Sequence, residues 1–139
     1  MLHQHDTFFE APLARLKLRD FGDGRGELIS YRRPDTAEAR ASQFFICAAD
    51  PVALLTALSY ALPTVGVVKK RRHLFLYRHT RIHLDDVAGL GTFVELETVM
   101  TGQSDAEGHE ELDTVAAALG LKGEAAVPIP YVELLNRRA

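Results

Sequence analysis

Charged and apolar side chains alternate along most of this chain, and this period of two residues predicts β-strands. The alternation recurs in seven segments, separated by short breaks whose Gly, Pro and Asp content suits tight turns between antiparallel neighbours. The predicted strands are His5–Glu10, Leu13–Asp20, Gly26–Arg33, Ser42–Ala48, Val65–Tyr77, Thr80–Val87 and Thr92–Thr101.

Two predicted helices interrupt the strands. Asp50 is a suitable N-cap with Pro51 at the first helical position, and this helix is expected to end at Pro63. Ser104 begins a capping box, and the apolar stripe that follows it ends at Gly120. The last segment, IPYVELLNRRA, is expected to form a short amphipathic closing turn. Because each helix carries an apolar stripe, the helices are expected to cover the apolar side of the sheet.

One face of at least five predicted strands carries charged side chains. Such a face on a single strand is typical of a sheet with one solvated side. Here, however, basic residues dominate the early and middle strands, while acidic residues gather on the last two. The residues concerned are Arg15, Lys17 and Arg19, then Arg40, then Arg81, His83 and Asp85, and finally Glu95 and Glu97. Parity alone does not decide between Arg32 and Arg33, or between the pairs Lys69/Arg71 and Lys70/Arg72.

The segregation of charge favours an α+β fold in which an antiparallel sheet curls into a β-barrel or tunnel with helices packed outside and a charged lumen. Several Arg and Lys side chains on one cavity match a polyphosphate, since Arg presents paired planar donors and Lys a point charge. The carboxylates Asp85, Glu95 and Glu97 are the oxygen ligands that Mg²⁺ or Mn²⁺ prefers beside phosphates. The pattern therefore predicts a metal-assisted site for a triphosphate.

Composition narrows the class of protein. With 139 residues the chain is expected to be one domain, 1–139, and its hydrophobic share of 47% is that of a globular protein. The net charge of -3 argues against nucleic acid as a partner. No apolar run suggests a membrane span and the N-terminus resembles no signal peptide, so a cytoplasmic location is expected. The single Cys47 lies among apolar residues and is expected to be a small core residue.

Four segments resemble the CYTH superfamily of triphosphate tunnel enzymes, which includes class IV adenylate cyclases and thiamine triphosphatases. QHDTFFEAPLARLKLR and GELISYRRPDTAEARAS are similar to two of its early strand motifs, and KKRRHLFL is similar to its K-x-R strand. RIHLDDVAGLGTFVELE matches a further motif nearly position for position, in the long form typical of the class IV cyclase branch.

The resemblance implies an eight-stranded tunnel, Mg²⁺ or Mn²⁺ as cofactor, and a nucleotide or other triphosphate as ligand. It implies that the metal ligands are Asp85, Glu95 and Glu97. It further implies phosphate contacts from the matching basic positions, which are Lys17, Arg19, Arg33, Lys70, Arg72 and Arg81, with Arg15 and Arg40 added from the charge pattern. The implied reaction converts ATP into cyclic AMP and pyrophosphate. The alternatives are a triphosphatase and a non-catalytic or vestigial polyphosphate-binding protein.

One family motif is missing from these residues. The glutamate-rich first strand E-x-E-x-K does not occur, and seven strands are predicted instead of eight. An N-terminally incomplete domain is therefore expected, without an assigned catalytic residue and with an unpaired edge that favours pairing with another chain, including a homodimer.

Two further expectations concern individual side chains. His83 shares a strand face with Asp85 and is expected to hydrogen-bond to that carboxylate. Tyr31, Tyr77 and Phe93 could stack on a base, although strands are rich in aromatic residues for packing reasons alone.

Overall fold

The computed structural model describes residues 1–32, 43–121, 127 and 129–138, and its strands form one antiparallel sheet. The strands are β1 (Leu2–Phe9), β2 (Arg15–Asp20), β3 (Gly26–Arg32), β4 (Gln43–Ala49), β5 (Thr64–Tyr77), β6 (Thr80–Val87) and β7 (Gly91–Thr98). Their order in the sheet is β4-β3-β2-β1-β5-β6-β7. Within the described residues the sheet is open, with β4 and β7 at its edges. The predicted α+β class and antiparallel strand architecture are confirmed.

In the part of the chain that the structure describes, three helices accompany the sheet, α1 (Pro51–Ala61), α2 (Asp105–Ala118) and α3 (Tyr131–Arg138). The carboxylate of Asp50 accepts from two backbone amides at the start of α1, as its predicted N-cap role requires. Ser104 and Glu107 form the predicted capping box of α2, and Gly120 follows its end with a φ of 72° that favours glycine. No helix in the described part of the chain is long and apolar enough to cross a membrane.

Strand register decides which residues share a face. Asp6 lies opposite Arg19 on β2, and Arg72 of β5 lies opposite Asp85 on β6. We call the face that carries these four residues the inner face. Its members alternate with those of the outer face along every strand, so that Lys17 and Lys70 also belong to the inner face.

Helix α3 packs against the inner face and covers part of it. Val132 joins Phe8, Val68 and Val87 in a buried core cluster. Gly66 permits this approach, because a Cβ atom there would lie only 2.8 Å from Cγ2 of Val132. The predicted closing turn is therefore a helix. The two helices predicted from the sequence correspond to α1 and α2, and α3 is a third helix whose Val132 packs on the inner face.

Helix α2 lies on the outer face, as expected. Its Glu111 accepts a 2.5 Å hydrogen bond from Thr80 Oγ1, and that hydroxyl lies 2.7 Å from Thr98 Oγ1. Thr80 is fully buried and pairs with Thr98 across β6 and β7. Glu111 on α2 thus provides an acceptor for the buried hydroxyl of Thr80.

The edge strand β4 differs from its prediction in burial. Cys47 was expected in the core, but it is exposed. The reason is topological, because β4 pairs with β3 on one side only and lies at the edge of the sheet. Its residues from Gln43 to Ala48 are all exposed.

Candidate functional site

A buried carboxylate lies at the centre of the inner face. Asp6 on β1 has no solvent exposure, and Nε and Nη2 of Arg19 each donate to it at 2.8 Å. Nζ of Lys70 donates to its Oδ2 at 3.1 Å, and Nζ of Lys17 lies 3.4 Å from the same atom. The two strands that flank β1, namely β2 and β5, thus direct three cations at one carboxylate; we call these four residues the Asp6 cluster.

Positive charge exceeds negative charge within the Asp6 cluster. Burial lowers the pKa of Lys17 to about 7, although Asp6 opposes this shift. Burial likewise lowers the pKa of Lys70. Burial alone would raise the pKa of Asp6, but Lys17 and the hydrogen bonds from Arg19 hold it well below its usual range. Enclosed cations in excess of their counter-charge favour the arrival of an anion.

A second buried ion pair lies beside this cluster. Nε and Nη2 of Arg72 donate to the two oxygens of Asp85 at 2.7 Å each. The hydroxyl of Tyr131, from α3, donates to Asp85 Oδ2 at 3.1 Å. Burial and the Asp85 charge raise the pKa of Tyr131, so that its hydroxyl keeps its proton. Nζ of Lys70 lies 5.9 Å from the centre of the Tyr131 ring, which links the two groups of residues.

The acidic residues of β7 face basic partners on β6. Nδ1 of His83 lies 3.2 Å from Oε1 of Glu95, and Nη1 of Arg81 lies 3.7 Å from Oε1 of Glu97. The expected bond from His83 to Asp85 is wrong, because strand register places Glu95 directly opposite His83. All five of these side chains nevertheless share the inner face.

The three predicted metal ligands are not gathered into one centre. Among the described residues, no group of three or more His, Cys, Asp and Glu side chains is arranged to hold a metal ion. Asp85 already accepts from Arg72 and Tyr131, so a metal would have to displace those donors. This arrangement does not fit a preformed divalent-metal centre.

The structure shows which of the alternative basic residues lie on the inner face. Lys70 and Arg72 lie on the inner face, whereas Arg71 pairs with Asp86 on the outer face. Arg32 also lies on the outer face, opposite Gln43. Arg15 lies on the inner face in register with Tyr31. The predicted Arg33 and Arg40 lie outside the described residues.

Two residues of the site were absent from the sequence predictions. Alternation in QHDTFF places Gln4, Asp6 and Phe8 on one face, but the sequence does not show that Asp6 meets the Arg19 strand. Tyr131 lies 46 residues beyond its acceptor Asp85, and no local pattern signals that contact.

Enclosed cations in excess on one face of an antiparallel sheet suit a polyanionic ligand. The chain belongs to the CYTH domain family, whose match covers residues 1–130. The family fold binds triphosphates in general, and its members generally use divalent metal ions.

Solved structures share this fold. The PH1012 protein of Pyrococcus horikoshii is 27% identical, with a TM-score of 0.78, and the match covers 96% of this chain and 82% of that one. A conserved hypothetical protein of Pyrococcus furiosus is 26% identical, with a TM-score of 0.77 and the same two coverages. The PH1819 protein of P. horikoshii, at 21% identity and a TM-score of 0.72 over 100% of this chain and 87% of that one, shows the fold alone. A comparison with curated proteins gave no match.

Proposed function

We propose that the inner face binds the phosphates of a triphosphate. The observation that carries this proposal is the Asp6 cluster, in which two buried cations, Arg19 and Lys70, and the partly buried Lys17 share one carboxylate. Arg19 offers planar paired donors and the two lysines offer ammonium groups, which together suit the closely spaced oxygens of a polyphosphate. The proposed contacts are Lys17, Arg19, Lys70 and Arg72, with Arg15 and Arg81 on the same face, Arg33 from the motif and Arg40 from the charge pattern.

The charge balance explains why a triphosphate would enter. A bound anion would supply the negative charge that Asp6 alone does not provide, and it would accept hydrogen bonds from donors already held in place by the sheet. Arg19 and Lys70 are positioned by Asp6, so little side-chain entropy would be lost on binding. Asp6 thus acts as an internal counter-ion that organises the cations.

The reaction that we propose is that of a class IV adenylate cyclase. The ribose 3′ hydroxyl of ATP would lose its proton as its oxygen bonds to the α-phosphorus. The bond from that phosphorus to the bridging oxygen would break, so that cyclic AMP forms and pyrophosphate leaves with the proton taken up. The resemblance of RIHLDDVAGLGTFVELE supports this choice. The inner-face cations would orient the phosphates and stabilise the leaving pyrophosphate. Mg²⁺ or Mn²⁺ remains the proposed cofactor. Its proposed ligands, Asp85, Glu95 and Glu97, would have to leave their present partners Arg72, His83 and Arg81 to bind it together.

A second candidate function is binding of a triphosphate without turnover. The pairing of each predicted acidic ligand with its own partner favours it: Asp85 with Arg72, Glu95 with His83 and Glu97 with Arg81. In this state the carboxylates neutralise neighbouring side chains and do not form a shared metal centre.

Product analysis distinguishes these functions. The full chain incubated with ATP and Mn²⁺ or Mg²⁺ is expected to release cyclic AMP and pyrophosphate in equal amounts. Orthophosphate without cyclic product would contradict the cyclase proposal and favour a triphosphatase. Binding of ATP without any product at either metal would favour the non-catalytic function.

Affinity for tripolyphosphate is expected to fall as pH rises from 7 to 9. Lys17 has a pKa of about 7 in the free protein, so it loses its proton over this range, whereas a bound anion favours the charged form. Binding should therefore take up a proton, which calorimetry detects as a heat that depends on the buffer. Asp6, Arg19, Lys70 and Glu95 set the charge around Lys17.

The variant Lys17→Met provides the control for this pH dependence. It should bind more weakly at pH 7 and lose most of the decline between pH 7 and 9, with the depressed pKa of Lys70 accounting for the remainder. Equal pH profiles for the variant and the unmodified protein would contradict the role assigned to Lys17.

A further inference from the structure

The inner face changes character between its middle strands and its β4 edge. β1, β2, β5, β6 and β7 carry the charged residues already described. On the same face β3 and β4 carry mainly apolar side chains, and the exception is Glu27 of β3, opposite Arg19. This apolar patch consists of Ile29, Tyr31, Phe44 and Ile46, which pair in register across the two strands.

The two aromatic rings of the apolar patch are stacked. The rings of Tyr31 and Phe44 have centroids 5.3 Å apart and planes within 13° of each other. Tyr31 is only 7% exposed, whereas Phe44 is 42% exposed. The buried ring of Tyr31 therefore packs beneath that of Phe44, and Phe44 presents the solvent-accessible aromatic surface.

The apolar patch adjoins the Asp6 cluster directly. Nζ of Lys17 lies 5.4 Å from the centre of the Tyr31 ring and 3.4 Å from Oδ2 of Asp6. One side chain therefore contacts both regions. A ligand that spans the junction would need a polyanionic end and a flat apolar end.

We propose that Phe44, supported by Tyr31, stacks against the planar ring of an organic triphosphate whose phosphates lie at Lys17 and its neighbouring cations. This inference rests on the proposed function and assigns a binding residue to the ring of its nucleoside triphosphate substrate. Stacking on an aromatic side chain tolerates any planar base, because every base presents a π-face.

Charge favours this occupant over another protein chain. An apolar partner that covered Phe44 would also reduce solvent access to Lys17, and it would bring no anion to the positive cluster beside it. A ligand with a planar ring joined to phosphates would cover the apolar patch and would also supply negative charge to the cations of the Asp6 cluster.

The test compares ATP with inorganic tripolyphosphate, which has the phosphates but no ring. Calorimetric titration of Phe44→Ala is expected to show ATP affinity about tenfold weaker, and tripolyphosphate affinity changed by less than about twofold. Phe44→Leu keeps an apolar side chain without a ring and should show most of the same loss of ATP affinity. This variant keeps the test valid if Phe44→Ala fails to fold.

Phe45→Ala is the matched control. Phe45 is the next residue on β4, faces the outer side and is 71% exposed. Its substitution should leave both affinities unchanged. Equal losses for Phe44→Ala and Phe45→Ala, equal weakening of ATP and tripolyphosphate by Phe44→Ala, or a change in oligomeric state without a change in ATP affinity would overturn the inference.

Failure of the inference and failure of the proposed function give different results. If tripolyphosphate binds the unmodified protein but Phe44→Ala leaves ATP affinity unchanged, the stacking role is wrong, whereas the proposed phosphate site is still supported. If neither ligand binds the unmodified protein, the proposed function itself is wrong, and the inference falls with it.

Discussion

Replacement of Asp6 by asparagine is expected to lower the free energy of unfolding by about 3–5 kcal/mol, the cost typical of removing one partner from a buried ion pair. Asp6 is fully buried and is the shared counter-ion of Lys17, Arg19 and Lys70. The amide of asparagine keeps the shape of the side chain but removes its charge, so three neighbouring cations would remain enclosed without compensation.

Urea denaturation of Asp6→Asn and of the unmodified protein measures this loss directly. Asp86→Asn is the matched control, because Asp86 pairs with Arg71 on the outer face, where its side chain is 48% exposed. The control should change stability by no more than about 1 kcal/mol, as expected for a surface pair.

Tripolyphosphate should restore much of the stability lost by Asp6→Asn, because it supplies the missing negative charge to the cations. A small stability loss for Asp6→Asn, similar to that of Asp86→Asn, would contradict the central role given to Asp6. So would a tripolyphosphate effect on the variant smaller than that on the unmodified protein.

The second large effect is expected for Lys70→Met. Its ammonium group donates to Asp6 and its side chain is only 4% exposed, so the substitution removes one enclosed cation while keeping an unbranched chain of similar length. Affinity for tripolyphosphate should fall by about 10- to 100-fold, the range that corresponds to loss of a hydrogen bond to a charged group. Stability should stay similar or rise, because burial of that ammonium is costly.

Lys69→Met is the control for this prediction. Lys69 is the neighbouring residue on β5, exposed on the outer face, and it carries the same charge. Its substitution changes the net charge equally but removes no inner-face donor. A comparable loss of affinity in both variants, measured by calorimetry at the same salt concentration, would show that net charge and not the inner face governs binding.

Much of the fold could be predicted from alternation and capping signals. The seven strands and the first two helices were predicted within a few residues of their observed limits, because Pro, Gly and cap residues mark their ends. The start of β1 was placed at His5 instead of Leu2, and the end of β7 at Thr101 instead of Thr98. Such ends depend on pairing with a neighbouring strand, which the local sequence does not show.

The candidate site could be predicted only in part. Parity along RLKLR correctly placed Lys17 and Arg19 on one face, but no local pattern could choose between the Lys69 and Lys70 pairs. Strand register made that choice, by placing Arg72 opposite Asp85. Asp6 was missed because its importance comes from residues 13 and 64 positions away, which only the folded sheet brings together.

Titration of the unmodified chain with tripolyphosphate tests the central claim most directly. The account predicts saturable heat in calorimetry with one ligand per chain, an affinity that weakens with salt, and a higher melting temperature. At a ligand concentration about 100 times the dissociation constant, stabilisation should approach about 2.7 kcal/mol. Absence of both a binding heat and a melting-temperature shift at millimolar tripolyphosphate would contradict the account, because the enclosed cations of the Asp6 cluster would then hold no polyphosphate.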